Sequence, residues 1–202
     1  MGEAIDYLGI KITRDKATGT LKIYQTNYYK ALLKKYGMDE CNPLRMPIRD
    51  DTKLQLSDSE GEILDAEGIH RYQSTIGSLT YAMQGTRPDL AYAVSLCSRF
   101  LAKPTATHTS IAKGVLRYLK GTTDLGITYY RDSNENLFVY TDSNYLDRTL
   151  RGDGRSTSGY GVYLAGGLIS WSSRRQHCVT TSSTEAEYIG QANAIKQIIT
   201  AT

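Results

Sequence analysis

The sequence contains few of the features that would place it among disulfide-rich, zinc-binding or membrane proteins. Cysteine occurs three times in 202 residues, at Cys41, Cys97 and Cys178, and no two cysteines form a C-x-x-C pair. This spacing indicates neither a disulfide framework nor a zinc site. No apolar run reaches the ~20 residues that cross a bilayer, and the N-terminus lacks the pattern of a signal peptide. We therefore expect reduced thiols, no membrane contact and an intracellular location, in the cytoplasm or the nucleus.

Charge is unevenly distributed along the chain. The formal net charge is +3, but residues 49–68 hold seven acidic and two basic side chains. The rest of the chain carries 22 basic and 14 acidic side chains. A mildly basic body with an acidic segment is compatible with a phosphate-rich partner.

The stretch from residue 137 to residue 190 contains the pattern strand, strand, strand, helix. The three strands are predicted over Leu137–Tyr140, Gly159–Ala165 and Leu168–Ser173, with a hairpin turn at Gly166–Gly167 and a continuation or pairing strand at Cys178–Thr181. The first strand delivers Asp142 just past its end. A helix follows, in which Tyr188, Ala192, Ile195 and Ile199 recur as one apolar stripe.

The predicted start of this helix contains several polar side chains. Ser183 or Thr184 stands where an N-cap belongs, and Glu185 and Glu187 lie in the first turn, where the helix dipole favours anions. Carboxylates that converge from a strand end and a helix start can hold hard divalent cations. Spacing alone is a weak signal, because an Asp after a strand is more often a turn residue.

Longer motifs carry a more specific signal. YTDSN, GRSTSGY, ISWSSRRQ and SSTEAEYI occur in this order, and together they resemble the ribonuclease H domain of copia-type LTR retrotransposon Pol polyproteins. YLGIKI, NPLRMP, YQSTIGSLTYAM, TRPDLAYAVSLCSRF and VLRYLKGT resemble the segment between the reverse transcriptase palm and that ribonuclease H. Nearly all of the chain is covered by the resemblance.

The resemblance implies an α+β fold in four segments. They are the end of the palm and the thumb of reverse transcriptase (1–48), an acidic linker (49–69), a helical connection (70–131) and a truncated ribonuclease H-like β-β-β-α domain (132–202). The pattern predicts an N-terminal hairpin with strands over Tyr7–Thr13 and Leu21–Gln25, then a helix capped by Thr26 or Asn27. Tyr29, Leu32, Leu33 and Tyr36 form its apolar face.

Three lysines lie elsewhere on this predicted thumb helix. Lys30, Lys34 and Lys35 could neutralise phosphates of a template–primer duplex, although a solvated helix face explains them equally well. Further helices are predicted over Tyr72–Gln84, Pro88–Leu101 and Pro104–Lys120. His70 and His108 are isolated and are interpreted as surface or packing residues.

The resemblance also assigns the candidate catalytic residues. The metal-binding Asp of the Y-x-D motif falls on Asp142, and the Glu of T-E-A-E-Y falls on Glu187, with Mg²⁺ or Mn²⁺ as the implied cofactor. Glu185 is the fallback ligand, since it lies closer to the predicted apolar stripe. Arg174 and Arg175, at a predicted hairpin tip, could grip a nucleic-acid backbone. Trp171 is interpreted as a core residue rather than as a stacking platform.

The family usually continues to a strand with a third Asp, and its polymerase metals are held by a Y-x-D-D motif. Neither lies between Met1 and Thr202. We therefore expect neither polymerase activity nor efficient RNA hydrolysis, but weak binding of RNA–DNA hybrid or single strands, with self-association through the uncovered sheet. One alternative is ribonuclease H-type hydrolysis completed by a second chain. Another is a non-enzymatic interaction role as an RxLR-like effector, since Arg148–Arg151 spells R-x-L-R.

Overall fold

The computed structural model describes residues 5–48, 61–133, 136–145 and 154–201, and it shows a mixed α+β fold. The predicted fold class is thus confirmed. The described strands are β1 (Asp6–Tyr7), β2 (Ile10–Asp15), β3 (Thr20–Tyr24), β4 (Gly126–Tyr130), β5 (Phe138–Asn144), β6 (Thr157–Leu164) and β7 (Gly167–Arg175). The described α-helices are α1 (Thr26–Lys35), α2 (Ala66–Gly85), α3 (Ala91–Ser98), α4 (Ala106–Gly121) and α5 (Ser183–Ala201). Most of the predicted acidic linker and the tetrapeptide Arg148–Arg151 lie outside the described residues.

The chain divides into two compact units. The first comprises Met1–Thr13 and Ile23–Gly126, and the second comprises Arg14–Lys22 and Ile127–Thr202. One sheet has the strand order β1-β2-β3-β4, and the other has the order β5-β6-β7. The four segments expected from the family resemblance stay a prediction.

The first predicted strand is interrupted by a tight turn. Leu8 and Gly9 both have positive φ angles, +51° and +78°, so β1 pairs back onto β2 instead of continuing through it. The turn is held by Tyr81, whose hydroxyl donates to the Leu8 carbonyl at 2.7 Å. The predicted strand Tyr7–Thr13 is therefore wrong in its first part, because Gly9 supplies the left-handed conformation that a tight turn needs. The next turn lies where it was predicted, with Asp15 accepting bonds from the Ala17 and Thr18 amides.

Helix α1 buries the predicted face. Tyr29, Leu32 and Leu33 are buried, and Tyr36 follows at the C-cap. Gly37 has a φ of +62°, and the Met38 amide donates to the Leu33 carbonyl, a Schellman motif that ends the helix as predicted.

The predicted caps of α1 are wrong. Gln25 occupies the N-cap position, and Thr26 is already helical. The Thr26 hydroxyl instead donates to the Thr123 carbonyl at 2.8 Å.

The helices of the middle of the chain lie where they were predicted, with shifted ends. Helix α2 begins six residues early, because Asp65 caps it by accepting a bond from the Gly68 amide at 2.8 Å. The predicted helix Pro88–Leu101 is divided into a short 3-10 turn, Pro88–Leu90, and α3. The main core of the first unit is formed by these helices and α1, and includes Tyr29, Leu33, Ile76, Leu79, Leu90, Leu96, Val115, Leu116 and Leu119.

A charged residue, Arg87, lies in this apolar core with only 1% of its surface exposed. Its guanidinium donates to both carboxylate oxygens of Asp89, and also to the carbonyl and hydroxyl oxygens of Thr122 at 2.9 and 2.6 Å. The rings of Tyr29 and Tyr118 lie 5.5 and 5.4 Å from its central carbon. Burial lowers the pKa of Arg87, but the bonds to Asp89 outweigh burial and hold that pKa above its ordinary value. The buried charge is thus paired and hydrogen-bonded, as its desolvation requires.

The second sheet extends further than the sequence pattern indicates. Strand β5 continues to Asn144, so Asp142 lies within the strand, opposite Gly159, rather than past its end. Strand β7 continues to Arg175, which pairs with Thr157. The hairpin between β6 and β7 is confirmed, but its turn is Ala165–Gly166, with φ angles of +52° and +76°. Cys178–Thr181 is not a strand.

Helix α4 begins with a capping box in which the N-cap is Thr105 and the titratable partner is His108. His108 is 3% exposed, stacks on Phe100, and accepts a bond at Nδ1 from the Thr105 backbone amide at 2.8 Å. Nδ1 must be unprotonated to accept this bond, and burial lowers the pKa of the imidazole. The interpretation of His108 as a packing residue agrees with this position, and His70 is exposed.

We predict that His108 makes stability depend on pH. Its folded pKa lies below the ordinary value of 6.5, so the unfolded chain takes up a proton first as the pH falls below that value, and stability is lost. Urea-unfolding midpoints measured between about pH 5 and 8 should fall towards the acidic end. His108→Asn, which keeps an acceptor but does not titrate, should flatten this dependence. His70→Asn is the control and should leave it unchanged; an equal slope for His108→Asn would contradict the prediction.

Candidate functional site

Helix α5 begins at Ser183 and is capped by the residue before it. The Ser182 hydroxyl accepts a bond from the Glu185 amide at 3.1 Å, and the Ser182 carbonyl accepts one from the Ala186 amide. The predicted caps Ser183 and Thr184 are therefore wrong, since both lie inside the first turn. The Glu185 carboxylate turns back and accepts bonds from the amide and the hydroxyl of Thr181, at 2.7 and 3.0 Å. The Glu185 side chain thus ties the segment before the helix to its first turn.

The buried face of α5 is formed by its smallest residues. Ala186, Gly190 and Ala194 recur at a spacing of four and are buried. The predicted apolar stripe lies on the other side, because Tyr188 is 69%, Ile195 53% and Ile199 69% exposed. The predicted face is the most hydrophobic one, whereas the face of α5 that packs on the sheet is the one with the smallest side chains. A Cβ at Gly190 would lie 2.6 Å from the Ser143 hydroxyl oxygen, so the helix approaches the sheet too closely for a larger side chain.

A set of hydrogen bonds fills this interface. We call its members the polar cluster: Ser143, Ser158, Gln176 and the carbonyl of Ala186. The Gln176 amide nitrogen donates to the Ser158 hydroxyl at 2.6 Å and to the Ala186 carbonyl at 2.9 Å. The Ser143 hydroxyl donates to the same carbonyl at 2.9 Å. It therefore accepts from Ser158, 2.9 Å away, since each hydroxyl carries one hydrogen. The cluster joins β5, β6 and the segment after β7 to the first turn of α5.

Glu187 reaches the strand that carries Asp142. Its Oε1 atom accepts a bond from the Ser143 backbone amide at 3.2 Å, and its side chain is half-buried. Asp142 is the neighbour of Ser143 in β5 and is exposed. The structure thus brings Glu187 to the residue next to Asp142. The Ser143 side chain faces α5, so the Asp142 side chain lies on the opposite face of β5. Glu185 is engaged with Thr181. Glu185 lies closer to the predicted apolar stripe than Glu187, but that stripe is exposed and does not face the sheet. The assignment of Asp142 and Glu187 as metal ligands stays a prediction.

A two-cation site needs several oxygen ligands. Among the described residues, no three His, Cys, Asp or Glu side chains form a group that could hold a metal ion. Asp142 and Glu187 are oxygen ligands of the right kind, but the described side chains by themselves do not supply the ligand set of two cations.

The candidate nucleic-acid-binding residues lie in three settings. Lys30 and Lys34 are exposed one turn apart on α1, whereas Lys35 donates to the Ser74 hydroxyl at 3.3 Å. Arg174 and Arg175 were predicted to lie at a hairpin tip. They are instead the last two residues of β7. Arg174 is exposed and Arg175 is half-buried, because neighbours in a strand point to opposite faces.

Sequence reasoning did not find the polar cluster. The signals were present, since ISWSSRRQ carries a Gln directly after the strand and the small residues of α5 recur at a spacing of four. Trp171, interpreted as a core residue, is half-buried in β7. None of the described helices combines the length and the apolar character needed to cross a membrane.

Comparison with known proteins places this arrangement in a family. The Retrovirus-related Pol polyprotein from transposon TNT 1-94 of Nicotiana tabacum is 36% identical over 204 residues, which cover 98% of this chain and 15% of that polyprotein. An uncharacterized mitochondrial protein of Arabidopsis thaliana is 35% identical over 188 residues, 93% of this chain and 74% of that protein. The chain belongs to the retrovirus-related Pol polyproteins of transposons.

This Pol-family chain spans only a small part of the polyprotein it matches. A further relative, the Secreted RxLR effector protein 161 of Plasmopara viticola, is 41% identical over 129 residues, 63% of this chain and 89% of that protein. No protein-family model matches the chain, and no solved structure matches it. The predicted membership among transposon Pol proteins is confirmed.

We predict that Gly190→Ala destabilises the second unit of this Pol chain by about 1–3 kcal/mol, because the added methyl group overpacks against Ser143. Helix propensity acts in the opposite direction by about 1 kcal/mol. The matched control is Gly77→Ala in α2, where an added Cβ meets nothing within 4 Å and should be stabilising. Urea unfolding followed by Trp171 fluorescence reports on the second unit, and circular dichroism reports on the whole chain.

A double-mutant cycle makes this prediction specific. In a Ser143→Ala background the hydroxyl oxygen that Gly190→Ala would strike is absent, so the second substitution should cost less. Equal costs in both backgrounds would show that the contact with Ser143 does not set the helix position.

Proposed function

We propose that this chain is the part of a copia-type Pol polyprotein that runs from the reverse transcriptase thumb through the connection into a ribonuclease H-like unit, and that it binds RNA–DNA hybrid or single strands. One observation carries the proposal: Glu187, at the start of the helix that follows three antiparallel strands, bonds to the strand that contains Asp142. This is the element order and the pair of acidic residues that the family resemblance implies. The identity to transposon Pol polyproteins over nearly the whole chain supports it.

Helix α1 supplies a candidate contact for the nucleic-acid backbone. Its buried face holds Tyr29, Leu32 and Leu33, which fixes Lys30 and Lys34 on the exposed side, one turn apart. Two lysines at this spacing can contact successive phosphates and release counterions. Lys35 contributes less, because it is turned towards Ser74 and the Tyr36 ring.

We predict that Lys30→Glu combined with Lys34→Glu weakens hybrid binding and reduces the dependence of log K on log salt by about one per lysine. Arg174→Glu should act in the same direction. The control is Lys103→Glu, an exposed lysine outside the predicted interface. Fluorescence anisotropy of a labelled RNA–DNA hybrid at several salt concentrations measures both quantities. A salt slope that stays unchanged in the double variant would contradict a role for α1 in phosphate contact.

Ribonuclease H-type hydrolysis is a second candidate, and it rests on the family resemblance of Asp142 and Glu187. Glu187 contacts β5 from the α5 side, whereas the Asp142 side chain lies on the opposite face of that strand. Bound Mg²⁺ or Mn²⁺ would supply an activated water and charge stabilisation for phosphodiester cleavage. The family resemblance implies a third carboxylate in addition to Asp142 and Glu187, and we propose that this chain does not cleave efficiently until a second chain supplies it.

We predict that the wild-type chain and Asp142→Asn leave a labelled RNA–DNA hybrid equally intact in the presence of Mn²⁺. Gel electrophoresis of the RNA strand measures this. Cleavage by the wild type that disappears in Asp142→Asn would show that the chain completes the metal site and would overturn the proposed incompleteness. Cleavage that is equal in both would indicate a contaminating nuclease.

A host-directed interaction role is a third candidate, because one relative is named a secreted RxLR effector. The corresponding tetrapeptide, Arg148–Arg151, lies outside the described residues. We propose an intracellular location instead. Cell fractionation with an antibody to the chain distinguishes the two, and recovery of the chain from the extracellular fraction would favour the effector role.

A further inference from the structure

The sheet β5–β6–β7 has a second face, turned away from α5. Ser143 and Ser158 point towards α5, where they form the polar cluster. Side chains alternate along a strand and cross-strand partners share a face. Residues at odd offsets from these two serines in β5 and β6 therefore lie on the opposite face, and Leu168 of β7 joins them because it pairs with Tyr163. We call four of these residues the platform: Phe138, Tyr140, Tyr163 and Leu168.

A glycine makes the platform flat. A Cβ at Gly161 would lie 2.9 Å from Cδ2 of Leu168 and 3.2 Å from Cε2 of Tyr163, so both side chains lie over the bare backbone of the central strand. The Tyr140 ring packs edge-on against Tyr163, with ring centroids 5.6 Å apart and an angle of 87° between the rings. Tyr140 is nevertheless 69% exposed, and Phe138 is 45% exposed.

We propose that the platform binds the unpaired bases of a single-stranded nucleic acid by stacking. This inference rests on the nucleic-acid binding proposed above and adds where single strands bind and by which contact. Exposed aromatic rings on a sheet offer a surface on which any base can stack, because every base has a π face. A base pair inside a duplex already uses its faces, so the platform should discriminate against duplexes.

Positive charge beside the platform favours a nucleic acid over an apolar protein partner. Tyr163 is two residues from Ala165, which lines a pocket of about 330 Å³ together with Arg14, Tyr130 and Arg131. Arg14 is exposed, and the Arg131 guanidinium donates only weakly, to the Lys16 carbonyl at 3.5 Å. Among the described residues neither arginine forms an ion pair with a carboxylate, so both can meet phosphates.

The opposite end of the face carries one acidic residue, Asp142, and one basic residue, Arg175, which pairs with Thr157 and is half-buried. Asp142 lies two residues beyond Tyr140 on the same side of β5, and it is exposed. Its carboxylate repels phosphates, whereas the arginine pocket attracts them. The exposed arginines Arg14 and Arg131 favour a bound strand whose backbone passes Tyr163 at their end of the face.

The experiment uses the only tryptophan of the chain as a reporter. Trp171 pairs with Gly161 in β7 and therefore shares the face of the platform. Its fluorescence is titrated with a single-stranded oligothymidylate of about 12 nucleotides, within the range of known single-strand sites. Tyr140→Ala should weaken binding roughly 5- to 150-fold, the value of one stacked base. Tyr140→Phe, which keeps the aromatic ring, should bind as tightly as the wild type. Tyr140→Leu, which is apolar but has no π face, should bind as weakly as Tyr140→Ala.

The matched control is Tyr188→Ala, which removes an equally exposed tyrosine, also 69%, from α5 on the other side of the sheet. It should leave binding unchanged. Arg14→Glu with Arg131→Glu should weaken binding and reduce its salt dependence. The same oligothymidylate annealed to its complement should be insensitive to Tyr140→Ala.

Three results would overturn the inference. In the first, Tyr140→Ala and Tyr188→Ala change single-strand binding equally while the wild type still binds the hybrid. This result would show that the platform does not bind single strands, but it would leave the proposed function intact. Sedimentation could show a wild-type dimer that Tyr140→Ala dissociates, which makes the face a contact between copies of this chain. If the wild type binds neither hybrid nor single strand, the proposed function fails together with the inference.

Discussion

The second unit depends on how closely α5 can approach β5 and β6. The approach requires a helix face without bulky side chains, which Ala186, Gly190 and Ala194 provide. It also traps polar groups between helix and sheet, and a buried group without a partner costs about 1–3 kcal/mol. The Ser143 and Ser158 hydroxyls and the Gln176 amide nitrogen bond to one another and to the Ala186 carbonyl, whereas the Gln176 Oε1 atom is buried without a hydrogen-bond partner among the described residues. The position of Glu187 beside β5 is a consequence, because it sits one residue past the carbonyl that the cluster holds.

The first unit also buries a polar side chain among apolar ones, and this side chain carries a full charge. Arg87 is enclosed by an acid, a carbonyl, a hydroxyl and two aromatic rings, so every part of its guanidinium has a partner or a π face. The residues involved come from α1, the 3-10 turn and the end of α4, which are distant in sequence. Both units therefore contain a polar centre that several elements must reach together, in addition to the apolar core that each element covers.

The sequence predicted those parts of the structure that depend on local pattern. The face of α1, the Schellman stop at Gly37 and the β6–β7 hairpin follow from apolar spacing and turn residues. The face of α5 could not be predicted this way, because Tyr188, Ile195 and Ile199 form the more hydrophobic stripe and the smaller residues form the tighter contact. The end of β5 was also missed, since Asp142 and Asn144 are turn formers whose strand conformation is imposed by pairing with β6. The pairing of Glu187 with the Ser143 amide joins residues 44 apart in the chain, and only the folded sheet reveals it.

The turn between β6 and β7 has a stereochemical consequence. Ala165 and Gly166 both occupy the left-handed region, in which an L-alanine is strained by roughly 1 kcal/mol and a residue of the opposite chirality is not. This hairpin is therefore a position in the second unit where a D-amino acid fits the native backbone better than the natural residue. A chemically synthesised second unit that carried D-alanine there would have a pre-organised link between two strands of the sheet on which the helix docks.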